Sequence, residues 1–178
     1  NNLDDRLNRI KGFIVPSGIP SGQRSLPSRY GRLAEGINGE IVSNHAGSFC
    51  RTVRKYPFGF ILGDASLDGA GVSDHLPLAS FSATEAEGSV ALGDLIFFDL
   101  ETTGLGGAGT VAFLVGFGSL TTDGFEVRQY VLPDYSDEAA LLEQALTELG
   151  EDKTIVSYNG TAFDLNLIRD RMIINRVT

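Results

Sequence analysis

The chain has 178 residues, a hydrophobic fraction of 42% and a formal net charge of −9 at pH 7. This length can bury a hydrophobic core and favours one domain with at most a small appendage. The sequence has no apolar run long enough to span a membrane, and its single cysteine, Cys50, excludes an internal disulfide and a cysteine zinc cluster. We therefore expect a globular protein of the cytoplasm.

The charge is divided unevenly along the chain. Residues 1–60 contain nine Lys and Arg against four Asp and Glu, whereas residues 61–178 contain five against nineteen. A nucleic-acid backbone would be attracted to the first part and repelled by the second, except where bound cations reverse the local field. Arg24, Arg29 and Arg32 are the candidate backbone contacts. The alternative is a solvated basic surface with no partner.

The composition of residues 1–92 changes twice. Residues 1–36 mix Gly, Pro, Ser and Arg without a clear period and predict a basic, loosely structured arm. Residues 37–62 predict a β-hairpin, because two runs rich in β-branched and aromatic residues flank the turn-forming segment Asn44–Gly47. Residues 63–92 are rich in Gly, Ser, Ala and Asp and predict a linker.

Residues 93–178 predict a mixed α/β domain. The apolar pattern gives three strands in succession, then a helix capped by Ser136, a strand and a last helix with Leu165, Ile168 and Met172 on its apolar face. The predicted strands are 94–100, 110–119, 125–132 and 154–158, and the last helix runs from 162 to about 174.

Two acidic residues, Asp99 and Glu101, follow a buried strand that begins at Leu95. Positions i and i+2 of a strand point to the same face, so both carboxylates project together. Two like charges this close repel each other unless a cation compensates them. Oxygen ligands of this kind select hard cations such as Mg²⁺ or Mn²⁺. The alternative is a strand that ends in two solvated acids.

A third acidic residue, Asp164, lies at the start of the last predicted helix, after the turn-forming segment Asn159–Thr161. On its own, an aspartate in the first turn is explained by the helix dipole. Beside Asp99 and Glu101, it becomes a candidate third metal ligand.

These motifs resemble the DEDD family of 3′–5′ exonucleases, which have a ribonuclease H-like fold. Phe98–Leu105 is similar to the first motif of that family, and Tyr158–Asp164 is similar to the second. The pattern resembles in particular the bacterial YprB-like branch, from Leu95 to Val177. The resemblance implies a mixed sheet that begins with a three-strand antiparallel meander and continues as helix, strand and helix.

The resemblance also implies a function: hydrolysis of phosphodiester bonds from a 3′ end by a two-metal mechanism, with DNA favoured over RNA and a helicase as an associated partner. Asp99, Glu101 and Asp164 would be the catalytic residues and would hold two Mg²⁺ or Mn²⁺ ions. The implied substrate-binding residues are Thr102, Thr103, Gly104, Leu105, Asn159 and Phe163.

The chain departs from the family after Asp164. A third motif, with a His or Tyr and a fourth acid, would lie many residues further on, and the sequence ends at Thr178. We therefore expect a fragment of a longer protein, incomplete at the carboxyl end of the fold and inactive as a nuclease by itself. The alternative is a catalytically inactive nucleic-acid-binding or scaffolding module with the same fold.

Gly104–Gly109 also has the G-x-G-x-x-G spelling of a dinucleotide-binding loop. That loop requires a following helix whose amino end faces the pyrophosphate. The residues that follow, 110–118, are β-branched, aromatic and glycine and predict a strand. The sequence therefore argues against a nucleotide cofactor.

Overall fold

The computed structural model describes residues 29–67, 75–77, 88–104, 107, 109–158, 160 and 162–177. Three predicted site residues, Arg24, Leu105 and Asn159, lie outside these ranges. The described helices are α1 (Arg29–Gly36), α2 (Glu138–Leu149) and α3 (Asp164–Asn175). The strands are β1 (Glu40–Asn44), β2 (Gly47–Pro57), β3 (Ile61–Leu62), β4 (Ala65–Ser66), β5 (His75–Pro77), β6 (Ser89–Ala91), β7 (Leu95–Thr102), β8 (Ala112–Thr121), β9 (Gly124–Val131) and β10 (Thr154–Val156).

The main sheet has six strands in the order β1-β2-β9-β8-β7-β10. Neighbouring strands are antiparallel except β10, which pairs with β7 in parallel. The predicted meander of three strands, followed by helix, strand and helix, is confirmed. The parallel pair requires a crossover, and α2 lies on it.

The predicted amino-terminal hairpin is present and extends the same sheet. β1 and β2 pair around the turn between Asn44 and Gly47, and β2 then pairs with β9 from Cys50 to Pro57. Between the hairpin and β7, the residues that the structure describes form short elements, namely β3 to β6 and the 3-10 turn Leu92–Asp94. Through the pairing of β2 with β9, the hairpin is part of the same hydrogen-bonded sheet as β7, which carries Asp99 and Glu101.

Residues 29–36 form a helix, where the sequence predicts a loosely structured arm. Long-range contacts explain the difference, because Tyr30 Oη donates to Asp137 Oδ2 at 2.7 Å and Arg29 Nε donates to the Pro133 carbonyl oxygen at 2.8 Å. Arg29 also forms an ion pair with Asp134 at 2.6 Å. Leu33 is buried at the inner side of this helix. None of these partners is close in sequence, so local composition could not show them.

The helices α2 and α3 begin and pack differently from the prediction. The N-cap of α2 is Asp137, and not Ser136, and its side chain makes no capping hydrogen bond. Asp134 caps the 3-10 turn that precedes α2: its Oδ1 accepts from the Ser136 backbone N–H at 2.9 Å. Helix α3 buries Asp164, Leu167, Ile168 and Arg171, so its inward face is rotated from the predicted stripe, and only Ile168 is common to both.

The side chains of the sheet divide between two faces. Cross-strand partners share a face, and on one face Phe98, Phe117 and Tyr130 form the core beneath Leu141 of α2 and Leu167 of α3. The opposite face carries the alternate residues of β7. This second face holds the candidate site.

Candidate metal and nucleic-acid site

Asp99 and Glu101 lie on one face of β7, as their spacing predicts. Burial alternates along the strand: Phe98 and Leu100 are buried, whereas Phe97, Asp99 and Glu101 are exposed. The regular pairing with β8 shifts between Glu101 and Thr102, and such irregularities reorient the chain at the end of a strand. Both carboxylates therefore project from the end of the strand on the side away from the main core.

Asp164 reaches the same region from the adjacent strand. β7 and β10 are parallel, so their carboxyl ends lie at one edge of the sheet, and the chain that leaves β10 turns into α3 with Asp164 as its first residue. Asp164 is only 6% exposed. Burial raises the pKa of the Asp164 carboxyl, and the negative charge of Asp99 raises it further. The two carboxyl groups therefore interact electrostatically.

A glycine permits the close approach of the turn before α3. A Cβ atom on Gly160 would lie 2.0 Å from Ser157 Oγ and 3.6 Å from Asp164 Oδ2. The Gly160 carbonyl oxygen accepts a hydrogen bond from the Leu165 N–H at 2.9 Å. Gly160 is thus packed against Ser157 and next to the carboxyl group of Asp164.

The charges of the three acids are not balanced within the described ranges. None of the ion pairs formed there includes Asp99, Glu101 or Asp164. In the same ranges, no three His, Cys, Asp or Glu side chains lie close enough together to hold one metal ion. The pair Asp99 and Asp164 fits a hard divalent cation by its chemistry, since two interacting carboxylates without a cationic partner attract one.

The segment after β7 has a fixed conformation at its base. Thr103 Oγ1 accepts a hydrogen bond from the Val111 N–H at 3.0 Å, and the Thr103 N–H donates to the Val111 carbonyl oxygen at 2.9 Å. Thr102 Oγ1 donates to the Gly104 carbonyl oxygen at 2.6 Å. These two threonines, predicted to bind substrate, therefore close the loop that follows Glu101.

The loop leads into a strand, which excludes the dinucleotide-binding interpretation. Gly104 lies beside Thr110, whose Oγ1 is 3.2 Å from the Cβ position of the glycine, and β8 begins two residues later at Ala112. Among residues 104, 107 and 109–111, which the structure describes, none begins the helix that a dinucleotide-binding loop requires. The strand expected from the sequence is confirmed.

Phe163 precedes α3 and is half-buried against the hydrophobic core. Its ring therefore stabilises the start of the helix that carries Asp164. Among the basic residues predicted to contact nucleic acid, Arg29 binds Pro133 and Asp134, and Arg32 is an exposed residue of α1.

A trough of about 590 Å³ lies on the sheet face beside Asp99. Its base includes Gly116 and Gly118, and the rings of Phe97 and Phe125 meet edge to face over 5.4 Å between centroids. Tyr158, two residues after the end of β10, lines the trough and is 95% exposed. The sequence pattern did not reveal this trough, because its residues come from four strands and only the register aligns them.

The buried pair of Glu138 and Arg171 was also not recognised from the sequence. Arg171 Nε donates to Glu138 Oε1 at 2.6 Å, and Nη2 binds Oε2 of the same carboxylate. One signal was available: Arg171 is seven residues after Asp164, so both lie on one face of a helix. The partner on α2 could be identified only from the structure.

Comparisons with known proteins agree with this architecture. Residues 96–178 match the RNase_H superfamily. The chain is also 44% identical over 87 residues to the uncharacterized protein YprB of Bacillus subtilis (strain 168), a match that covers 44% of this chain and 21% of the relative. The chain thus matches about a fifth of the length of that relative.

The mixed and mainly antiparallel sheet is consistent with the RNase H-like fold that the match over residues 96–178 indicates. The superfamily match indicates a nuclease or another function related to nucleic acids. Among the helices that the structure describes, none is both long enough and apolar enough to cross a membrane.

Proposed function

We propose that this domain is a metal-dependent nuclease that removes nucleotides from the 3′ end of DNA. The observation that carries the proposal is the placement of Asp99 on β7 and of the buried Asp164, the first residue of α3, at the edge of the sheet where the parallel strands β7 and β10 end. A buried carboxylate beside a second negative charge is destabilising, and a bound cation would make the arrangement favourable.

The three acids have different environments, which suggests different roles. Asp164 is buried and would be the least hydrated ligand, whereas Asp99 and Glu101 are exposed and would share contact with solvent and substrate. Divalent Mg²⁺ or Mn²⁺ held by these oxygens would stabilise the charge that develops on a phosphodiester during hydrolysis. The closed base of the loop at Thr103 would support the segment that meets the terminal nucleotide.

A second candidate is a nucleic-acid-binding module without catalytic activity. One observation favours it: within the described ranges, the three acids do not form a group that could hold a single metal ion. The two candidates differ in what they require of Asp99 and Asp164. Catalysis requires both as ligands, whereas binding alone would be weakened by their negative charge.

The experiment combines metal binding with cleavage. Calorimetric titration with MnCl₂ should give a measurable Kd for the chain, which Asp99→Asn and Asp164→Asn should weaken at least about tenfold, or roughly 1.4 kcal/mol. Asp170→Asn is the matched control, because Asp170 is an exposed aspartate of the same helix, 61% exposed and paired with Arg169. Equal Mn²⁺ affinity in all four proteins would contradict the proposal.

Cleavage distinguishes the two candidates. Because the sequence predicts that this chain is inactive as a nuclease by itself, cleavage is tested in a chain extended to include the predicted third motif. There, a 5′-labelled single-stranded DNA should shorten from its 3′ end in Mn²⁺, and a matched RNA should be degraded more slowly. Cleavage of the DNA and of the RNA should both require Asp99 and Asp164. Binding of DNA that becomes tighter in the Asp99→Asn variant, together with no cleavage by the extended chain, would favour the binding module.

A further inference from the structure

We infer that the buried pair of Glu138 and Arg171 is a positioning device: it fixes the rotation of α3 about its axis and so directs Asp164 toward Asp99. The inference rests on the proposed function, because it assigns these two residues to the same site. It concerns side chains that contact neither Asp99 nor Glu101 in any described interaction.

The geometry of α3 links Arg171 to Asp164. Residues seven positions apart are two turns apart and differ by about 20° around the helix axis, so they lie on the same face. Asp164 and Arg171 are both buried, at 6% and 9% exposure, with Leu167 and Ile168 between them. Whatever sets the direction of Arg171 therefore also sets the direction of Asp164.

The apolar residues of α3 do not define one inward face by themselves. Leu167 and Ile168 are buried, but Ile173 and Ile174 are 68% and 54% exposed. Leu165 is only partly buried. A helix with apolar residues on several sides can pack in more than one rotation, because each rotation buries a similar apolar area.

The ion pair provides the direction that the apolar residues lack. Glu138 is the first residue of α2 and is 4% exposed. Its carboxylate accepts two hydrogen bonds from the guanidinium of Arg171 and a third from Asn175 Nδ2 at 2.9 Å. A fork of this kind has a narrow range of geometry, and a buried charge without its partner is strongly disfavoured, so other rotations of α3 are suppressed.

The connection to the site is short. α3 begins at Asp164, with no helical residue before it, and the half-buried Phe163 and the packed Gly160 turn join it to β10. A rotation of one residue, about 100°, would move Asp164 away from Asp99 and expose it. β10, paired with β7, holds the start of this segment, and the pair of Glu138 and Arg171 holds the rotation of the helix that follows it.

The test removes the pair without leaving a buried charge. In the double variant Glu138→Met/Arg171→Met, two apolar side chains of similar volume replace the pair, and the chain should remain folded. Arg171→Met alone would leave the buried charge of Glu138 without its partner. The first readout is the rotation of α3. In the parent chain, methyl NMR with a soluble paramagnetic agent should show Leu167 and Ile168 protected and Ile173 and Ile174 accessible.

In the double variant, this contrast should decrease, and the Kd for MnCl₂ should rise at least tenfold. The matched control is Arg128→Met/Glu148→Gln, which removes a second partly buried pair, 2.9 Å apart, between β9 and α2. That control should keep both the methyl pattern and the Mn²⁺ affinity. An unchanged methyl pattern in the Glu138 and Arg171 double variant would overturn the inference.

The two readouts separate this inference from the proposed function. If the parent chain binds no Mn²⁺, the proposed function fails, and the methyl pattern alone decides whether the pair sets the rotation. If the parent chain binds Mn²⁺ and the double variant binds it equally, the positioning role fails and the proposed function stands. Arg171→Lys adds a graded check: a single ammonium cannot make the fork, so its Mn²⁺ affinity should fall between those of the parent and the double variant.

Discussion

Asp99 raises the pKa of Asp164 although the two residues are 65 positions apart in the chain. The parallel pairing of β7 and β10 brings the ends of their strands to one edge of the sheet, and the turn at Gly160 places the first residue of α3 beside that edge. Burial is the larger cause of the shift, and the charge of Asp99 is the second. In the folded protein without metal, the ionised form of Asp164 is therefore disfavoured by burial and by repulsion from Asp99.

Replacing Asp164 by Asn should stabilise the metal-free protein at neutral pH. A raised pKa means that the folded protein binds the Asp164 proton more tightly than the unfolded chain does. Stability from this residue is then complete below the ordinary aspartate pKa, about 3.9, and is lost as the pH rises through the folded value. At pH 7 the Asn variant avoids that loss, and its Tm in EDTA should exceed that of the parent.

The advantage of Asp164→Asn should vanish below about pH 4, where both forms are neutral. It should reverse in MnCl₂: a ligand at 100 times its Kd stabilises the parent by about 2.7 kcal/mol, and the variant should gain much less. Thermal melts at several pH values, with and without Mn²⁺, would check this. A lower Tm for Asp164→Asn in EDTA at pH 7 would show that the carboxylate is satisfied without metal.

The contact between Tyr30 and Asp137 should make α1 part of the cooperative fold. Asp137 is 8% exposed and accepts both from Tyr30 Oη at 2.7 Å and from the Ser48 N–H at 3.0 Å. Asp137→Ala leaves both donors without this acceptor and should cost about 1–3 kcal/mol, whereas Tyr30→Phe removes one bond and should cost about 1 kcal/mol. Urea unfolding would measure both. Equal stability of Asp137→Ala and the parent would place this contact outside the folded unit.

The sequence predicted the elements whose patterns are local and did not predict contacts between distant segments. The meander, the crossover helix and the shared face of Asp99 and Glu101 follow from periodicity within each segment, and all are present. Helix α1 was not predicted, because its stability depends on Pro133, Asp134 and Asp137, about a hundred residues away. Composition alone suggested an arm.

The inward face of α3 shows the same limit at a finer scale. The apolar pattern predicted that Leu165, Ile168 and Met172 face the core. The structure buries Ile168 but also buries Arg171, because the carboxylate of Glu138 on α2 accepts hydrogen bonds from its guanidinium. Leu165 and Met172 are partly buried at the margins of the helix. A pattern of apolar residues assigns a charged residue to the surface. A buried partner of opposite charge can place it in the interior, and that partner can be identified only from the fold.

Gly124 should be the least replaceable glycine of the sheet. Its φ is +151°, and an added Cβ would lie 2.0 Å from the Tyr56 carbonyl oxygen and 2.8 Å from Pro57 Cα. Because these are backbone atoms, β2 would have to separate from β9, and Gly124→Ala should cost about 3 kcal/mol or more. Gly93→Ala is the control, since no atom lies within 4 Å of its Cβ position. Similar unfolding midpoints for the two variants would contradict the close approach.

Arg54 should carry nucleic-acid binding on the sheet face beside Asp99. Arg54 on β2 pairs with Val127 on β9, Val127 pairs with Gly118 on β8, and Gly118 pairs with Phe97 on β7. Arg54 and Phe97 therefore lie on the same face of the sheet, about 14 Å apart across three strand spacings of about 4.8 Å. Arg54 is exposed, and the rings of Phe97 and Phe125 line the trough between it and Asp99. Arg29, by contrast, is bound to Asp134.

Fluorescence anisotropy with a labelled single-stranded oligodeoxythymidine, at several salt concentrations, would test this. Each lost phosphate contact reduces the slope of log K against log salt by about 0.7 for a single strand, so Arg54→Ala should flatten the slope by that amount, and Arg54→Lys should restore it. Arg29→Ala should leave the slope unchanged because its charge already has a partner within the protein.

Lys153→Ala controls for the loss of one positive charge, since Lys153 contacts Gly93 and Asp94 at the opposite end of β10. If Lys153→Ala flattens the slope as much as Arg54→Ala does, then binding follows net charge, and the sheet face beside Asp99 is not the path of the strand.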